Sequence, residues 1–493
     1  MKLQELLLSL RFQKITVGVN PEVTSLEMDS RKVKAGTVFI CIKGYTVDGH
    51  DFAEQAVNQG AVAIIAERPL SVSVPVIIVP DTKRAMAKLA CHYYDNPTEK
   101  LHLIGVTGTN GKTTVTHLIE KVMQDAKRKT GLIGTMYTKV GAKQYETKNT
   151  TPESLPLQQL FKEMLAEQVD TVMMEVSSHA LHLGRVRGCD FDVAVFTNLT
   201  PDHLDYHESM EAYLYAKGLL FAQLGNTFTD KVAVLNGDDP ASIEFSRLTT
   251  VDVVTYGVKG KADVMATNIR ITPSGTTFDI DAFGERESIS LQLIGMFSVY
   301  NALAATAASL VSNVKLKDIK KSLEQVKGVP GRFEAVDEGQ DFTVIVDYAH
   351  TADSLENVLK TVKDFATHRI FAIVGCGGDR DRTKRPVMAK IASDYADRAI
   401  FTSDNPRSED PKKIIQDMVA GVRKGQFEVI LDRKQAIKQT IKEAAKGDII
   451  VIAGKGHETY QIIGDTTNHF DDREVAREGI LERSDFNDSL LNK

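Results

Sequence analysis

The run Leu103-Ile104-Gly105-Val106-Thr107-Gly108-Thr109-Asn110-Gly111-Lys112-Thr113-Thr114 constrains this chain more than any other stretch. An apolar, strand-like segment stops in a glycine-rich turn, and a helical pattern follows from Val115 to Gln124. Glycines let the backbone curl until its N–H groups and the start of the helix face an anion. Lys112 then adds a point charge, and the Thr113 hydroxyl suits a divalent cation such as Mg²⁺. The spacing is irregular: Val106 stands where the usual motif has its first glycine, with glycines at Gly105 and Gly108 instead. An ordinary strand-to-helix turn with a solvated lysine is the bland alternative. It leaves unexplained the strand before, the helix after and the two hydroxyl residues that follow the lysine.

With 493 residues the chain exceeds one core, and about three domains are expected. The 60 basic and 66 acidic residues leave a net charge of −6, against a general nucleic-acid or anionic-membrane surface. Cys41, Cys91, Cys189 and Cys376 lie far apart, so neither a disulfide framework nor a zinc site is suggested, and a cytoplasmic location is expected. The leucine-spaced start, Met1 to Phe12, is broken by Lys2, Gln4, Glu5 and Arg11 and does not read as a signal peptide. No apolar run reaches the ~18 residues of a membrane span, so no membrane insertion is expected. A monomer is expected.

Residues 1–98 alternate short strands (Thr37–Ile42, Ala61–Ile65, Val76–Val79) with helices (Phe52–Gln59, Thr82–Tyr94), a small α/β unit. Its Asp29-Ser30-Arg31 cluster is able to hold a phosphate or ribose, although taken by itself a solvated turn is the better reading. Asp95-Asn96-Pro97-Thr98 ends the unit. The second region, 99–330, carries the phosphate loop on a parallel sheet. Lys148-Asn149-Thr150-Thr151-Pro152 is a polar loop in which Thr151 is a candidate helix cap. Val169–Glu175 is an apolar strand delivering a carboxylate at its tip, where a magnesium ligand is needed. A third strand, Val193–Leu199, leads to Asp202-His203, a candidate metal or phosphate contact preferred over His207. On periodicity alone, Lys217 in the helix Met210–Gln223 is a solvent-facing lysine. Residues 252–292 look β-rich, a helix opens at Gly295, and Gly328-Val329-Pro330-Gly331-Arg332 reads as a hinge. The last region, 331–493, repeats strand then helix as a doubly wound parallel sheet. Clusters follow its strands: Asp347–His350, Gly377–Arg380, Asp404-Asn405-Pro406-Arg407 and Gly454–Glu458. Ligands bind beyond the carboxyl ends of such strands, so the four loops are expected to share one crevice.

The string Gly108-Thr109-Asn110-Gly111-Lys112-Thr113-Thr114, with the later strings in the same order, resembles the Mur ligases, which form amides on the peptidoglycan precursor. The resemblance covers nearly the whole chain and implies three domains: a UDP-substrate-binding unit, a central ATP-binding unit and a C-terminal Rossmann-like acceptor unit. It implies that ATP and Mg²⁺ are used, with ATP held by 108–114, Asn301 near the adenine, Arg332 and Asp347. It places Ser30, Arg31, Asn149, Thr150, Thr151, Ser177 and Arg185 on the UDP-linked substrate. Thr113, Glu175, His203 and Lys217 would serve the metal, with Lys112 catalytic and Lys217 carbamylated to N6-carboxylysine, which requires a neutral amine and hence a lowered pKa. The Asp404–Arg407 string resembles the diaminopimelate signature. With Arg380, Gly454 and Glu458 it implies meso-2,6-diaminopimelate as acceptor and UDP-N-acetylmuramoyl-L-alanyl-D-glutamate as the other substrate. A lysine-adding ligase of the family is the near alternative. A phosphate-loop ATPase acting as a switch or motor is the distant one.

Overall fold

The computed structural model describes residues 1–493 except 12, 16–18, 45–46, 148, 225–229, 273, 424 and 492–493, and does not describe the side chains of 484–491. Phe12 and Lys148 of the segments above therefore lie outside the described residues. Among the described residues the strands form a 5-stranded, an 11-stranded and a 6-stranded sheet and a separate 2-stranded hairpin. Each large sheet is buried on both faces by apolar side chains, which is why its parallel strands read as continuous Val/Ile/Leu runs rather than alternating ones.

The first sheet runs in the order Lys14–Ile15, Val76–Ile78, Ala61–Ala66, Thr37–Ile40, Ser25–Glu27. The helix expected over Phe52–Gln59 is a 3-10 turn, Gly49–Phe52, followed by a helix over Ala53–Asn58. Asp48 caps the turn through the His50 N–H, so the chain tightens before the α-helix begins. The leucine-spaced start is helical over Leu3–Leu7 only.

In the central sheet, His102–Thr107 sits between Thr171–Glu175 and Val193–Phe196, all parallel. The chain winds outward in both directions from this strand, so a crevice opens at its carboxyl end, where the phosphate loop lies. The β-rich stretch supplies Asp252–Gly257 and an antiparallel meander, Val264–Thr272, Gly275–Ala282 and Glu285–Leu291, at one edge. Over one face lies Met296–Val311, whose buried Ala302, Ala304, Ala305, Ala307 and Ala308 let it pack closely among the helix Lys112–Asp125 and the sheet. Burying these small side chains gains less per residue than leucine would, yet permits near contact of the backbones.

The third sheet has the order Glu334–Ala335, Thr343–Asp347, Ile449–Ala453, Ile370–Val374, Arg398–Phe401, Gln426–Val429, parallel except for the first strand. Helices Ala352–Phe365, Lys384–Tyr395 and Pro411–Val419 cover one face, and Arg433–Glu443 with Asp472–Leu491 the other. This is the doubly wound arrangement, and all four polar clusters leave its carboxyl edge. No helix among the described residues is long and apolar enough to cross a membrane.

Candidate active site

Gly108 and Gly111 adopt φ of +149° and +87°. A Cβ at Gly108 would lie 1.9 Å from Thr197 Oγ1, and one at Gly111 2.5 Å from Asn301 Oδ1, so both positions demand glycine sterically as well as conformationally. With Gly111 as N-cap the helix begins at Lys112, three residues before the periodicity of apolar side chains begins. Lys112 Nζ donates to the Gly108 and Thr109 carbonyls, each at 2.8 Å. Lys217 Nζ donates to that same Gly108 oxygen at 2.8 Å and lies 4.5 Å from the Tyr213 ring centroid. Lys217 is 1% exposed, which overturns its reading as a solvent-facing lysine. Its helix also buries Tyr213, Ala216, Leu220 and Phe221 and is apolar nearly all round, so periodicity had no polar face to assign it to. Burial lowers the pKa of both lysines, that of Lys217 well below its ordinary value, with the Lys112 charge adding to the effect.

Glu175, 1% exposed at the tip of its strand, is the acceptor at the centre of the site. Thr113 Oγ1 donates to Oε2 at 3.0 Å, Thr135 Oγ1 to Oε2 at 3.0 Å and the Thr135 N–H to Oε1 at 2.8 Å. Thr113 and Glu175 are thus brought together as their proposed metal roles require. His203 lies near enough to feel the charges of both Lys112 and Lys217, in left-handed backbone at φ +55°, with Nε2 3.4 Å from Asp202 and its ring edge-on to His179. Burial pushes its pKa down to about 3 and keeps it neutral. His207 is held by Ser178 Oγ at 3.0 Å. Among the described residues no three His, Cys, Asp or Glu side chains form a group that would hold a metal by themselves.

The polar loop before the helix Ser154–Ala166 folds onto the backbone at the end of the Glu175 strand. Thr151 does not cap that helix, whose N-cap is Glu153. Its hydroxyl instead donates to the Glu175 carbonyl at 2.9 Å and accepts from the Ser177 N–H at 3.1 Å. Thr150 Oγ1 lies 3.1 Å from Thr135 Oγ1, while Asn149 is exposed. Arg185 donates to the Thr151 carbonyl and pairs with Glu153 at 2.7 Å. In the N-terminal unit Asp29 caps the turn Ser30–Lys32, and the exposed Arg31 guanidinium doubles back onto it through two bonds of 2.9 and 2.8 Å. Ser30 is buried against Gln55.

The hinge closes the third unit over the loop. Arg332 Nη2 donates to Thr113 Oγ1 at 3.1 Å while its guanidinium stacks 4.4 Å over Tyr348. Asp353 Oδ2 receives the Asn110 amide at 2.8 Å and the Thr200 hydroxyl at 3.2 Å. Asp347 accepts the Phe333 N–H at 2.7 Å, and burial raises its pKa to about 6. A cavity of ≈ 370 Å³ opens beside the phosphate loop, lined among others by Thr114, Phe297, Arg332 and Phe333, with Phe297 and Phe333 rings 5.5 Å apart. Asn301 lies against Gly111 and outside that lining.

In the third unit, Arg407 sits at φ +52° with Nη1 on the Gly378 carbonyl at 2.7 Å, and exposed Arg380 turns to the Asp379 carbonyl. Fully buried Arg385 holds the loop in place, gripping Glu409 with two bonds of 2.7 and 2.9 Å and the Gly377 carbonyl with a third. Asn405 donates to Glu458 Oε2 at 2.9 Å, Asp404 is buried and Pro406 fixes the turn between them and Arg407. Gly454, at φ +120°, brings its backbone within reach of Asp404.

Family models match this order of units: the Mur ligase family catalytic domain over residues 22–94, the Mur ligase middle domain over 106–309, and the Mur ligase, glutamate ligase domain over 331–456. The chain belongs to the Mur ligase family. This Mur ligase is 63% identical over 482 residues, 98% of its length and 99% of the relative's, to the UDP-N-acetylmuramoyl-L-alanyl-D-glutamate--2,6-diaminopimelate ligase of Halalkalibacterium halodurans. It is 60% identical over 488 residues to the ligase of the same name from Geobacillus thermodenitrificans, covering 98% and 100% of the two chains. A solved UDP-N-acetylmuramoyl-L-alanyl-D-glutamate--2,6-diaminopimelate ligase superposes with a TM-score of 0.67 at 36% identity, covering 94% and 95%. The MurF ligase from Thermotoga maritima in complex with ADP shares the fold, with a TM-score of 0.65 at 20% identity, covering 93% and 96%.

Sequence reasoning missed Thr135, Asp353, Arg385 and Lys455. Each is an ordinary residue of a loop or a helix's first turns, and its partner is distant in sequence or hidden in an adjoining loop. Only Lys455 carried a signal, its place inside the Gly454–Glu458 cluster.

Proposed function

We propose that this Mur ligase joins meso-2,6-diaminopimelate to the D-glutamyl carboxylate of UDP-N-acetylmuramoyl-L-alanyl-D-glutamate, at the expense of ATP and in the cytoplasm. The observation that carries the reading is the Arg332 bond to Thr113, which ties the hinge of the third unit to the phosphate loop. The terminal phosphoryl group of ATP passes to the carboxylate, giving an acyl phosphate. The uncharged amine of the acceptor then attacks the carbonyl carbon, phosphate leaves with the bonding pair, and the nitrogen gives up a proton. Three anionic groups must approach one another, so Lys112 and Arg332 offset their repulsion while the loop backbone fixes the phosphates.

Thr113 and Glu175 suit Mg²⁺, being adjacent oxygen donors, and an ion there would neutralise the phosphate oxygens. A set with so few protein ligands fits an ion completed by nucleotide oxygens and water. Lys217, buried and easily neutral, suits carbamylation, which would turn its side chain into an anion beside the phosphate loop. The cavity beside Phe297 and Phe333 fits the adenine, the cluster Thr150, Thr151, Ser177 and Arg185 the muramoyl substrate, and Ser30 and Arg31 its uridine diphosphate. Arg407 and Arg380 face the distal carboxylate of the acceptor, and Glu458 its distal ammonium. The deciding experiment offers the UDP-linked dipeptide and ATP with meso-diaminopimelate or L-lysine side by side. Product with the first alone is expected; preference for lysine rejects the acceptor assignment.

A further inference from the structure

Lys455 is 0% exposed, yet it is a lysine in a loop beside the acceptor pocket. Its Nζ donates to Glu458 Oε2 at 2.9 Å and to Asn405 Oδ1 at 3.2 Å. Asn405 Nδ2 donates to that same Glu458 oxygen at 2.9 Å, and the Ile462 N–H donates to Asn405 Oδ1 at 3.0 Å. Glu458 Oε2 is thus filled twice, whereas among the described residues no hydrogen bond reaches Oε1. The other charges are arranged around this triad. Buried Asp404 accepts the Asn405 N–H at 2.6 Å and feels both Lys455 and Arg433, while Arg433 is closed off in a fully buried pair with Asp472 at 2.7 Å.

We propose that Lys455 is a positioning residue that sets acceptor specificity: it locks Glu458 with one oxygen occupied and the other presented to an ammonium. The site then takes one ammonium, the one at the distal end of a diamino diacid, and the proposal rests on the acceptor reading given above. Electrostatics favours this over a packing role. Two carboxylates buried side by side with no cation between them would not both stay ionised; one would take up a proton and lose its hold on an ammonium. Burial and the Asp404 charge already raise the pKa of Glu458, and the Lys455 ammonium is the main influence opposing them. The same cation, held by its short tether three residues before Glu458, fixes which carboxylate oxygen faces the pocket. An acidic pair without Lys455 would keep its shape better than its selectivity.

The test is a cycle between enzyme and substrate. L-2-aminopimelate keeps the reacting amine and the distal carboxylate of meso-diaminopimelate but lacks the distal ammonium. In the wild-type enzyme kcat/KM should drop by about 10–100-fold on going to this analogue, the scale of a hydrogen bond to a charged group. In Lys455→Met and in Lys455→Gln, which keeps a donor for Oε2 without the charge, that ratio should fall to within a few fold. The loss should appear in the KM for meso-diaminopimelate, with the KM for ATP unchanged. If the wild type does not distinguish the two acceptors, Glu458 is not the ammonium receptor and the acceptor reading fails. If the wild type distinguishes them and either folded variant keeps the same ratio while losing activity towards both equally, Lys455 is a packing cation and this proposal alone is overturned. Nucleotide binding identifies which variants are folded, and Lys455→Gln, close in size and polar, decides the matter if Lys455→Met does not fold.

Discussion

Lys112 and Lys217, 105 positions apart in sequence, end on the same carbonyl oxygen: each Nζ lies 2.8 Å from Gly108 O. Two ammonium groups so placed in a buried pocket repel each other, and conversion of one into an anion removes that repulsion and supplies a counter-charge for the other. Lys217→Ala is therefore expected to lower ligation by at least about 100-fold, the scale of a lost electrostatic contribution at a reacting phosphate. Acetate or another small carboxylate added to this variant should restore part of the activity by taking the place of the carbamate. Full activity of Lys217→Ala would return the residue to a structural role.

Lys112→Ala should cost about 3–4 kcal/mol in transition-state stabilisation, as the loss of a positioned charge at the transferring group does elsewhere. The fold should survive, because the variant removes a buried ammonium whose pKa is lowered by desolvation. Steady-state ligation and circular dichroism read the two effects separately, and near-normal turnover would reject the phosphate-loop role.

Arg407→Ala should weaken acceptor binding by about 2–5 kcal/mol, the cost of truncating one partner of a buried charge pair. The guanidinium can grip a carboxylate through two parallel hydrogen bonds, which lysine as substrate does not offer it. Its Nη1 is anchored on the Gly378 carbonyl at 2.7 Å. The effect belongs in the KM for diaminopimelate, with ATP affinity little changed; an unchanged KM would refute the assignment.

Asp353→Ala should loosen the closed arrangement without nucleotide, because it removes the acceptor shared by Asn110 and Thr200 across the boundary between the second and third units. A loss of about 1–3 kcal/mol is expected for donors left without their charged partner. Small-angle scattering should report a more extended particle than wild type; identical profiles would show that Asp353 does not hold the units together.

Acid should destabilise the fold through His350 and His457. Burial lowers their pKa values to about 4 and about 3, and among the described residues the buried Nδ1 of His457 has no hydrogen-bond partner. Unfolded histidine titrates near 6.5, so below that pH the unfolded chain binds protons that the folded chain refuses. Stability is therefore present above about pH 6.5 and lost as pH falls toward 4, by up to about 1 kcal/mol per pH unit for each histidine. Urea midpoints at pH 7 and pH 5.5 should show this slope, and His350→Gln should flatten it; an unaltered slope would remove His350 from the account.

What the sequence determined by itself is the local chemistry that short strings enforce. Glycines 108 and 111 dictate a loop for anions, and the repeated strand-then-helix pattern of residues 343–453 dictates a doubly wound sheet whose loops share one edge. The strand Thr171–Glu175 was legible too, because five consecutive buried residues leave an unbroken apolar run that stops at a carboxylate. Tertiary structure alone decided whatever depends on which surfaces face each other. By periodicity alone Lys217 looked solvent-facing because a helix gives no sign of an enclosing partner; the family resemblance implied a buried amine, and the approach of Gly108 and Tyr213 is what buries it. Thr151 looked like a cap, yet its hydroxyl is drawn to Glu175 and Ser177 by the packing of two loops. Arg385, Asp353 and Lys455 find partners on other loops or across a domain boundary, and the free energy that fixes them comes from satisfying buried charge after the sheets have assembled. Residue type and spacing carry no record of that step.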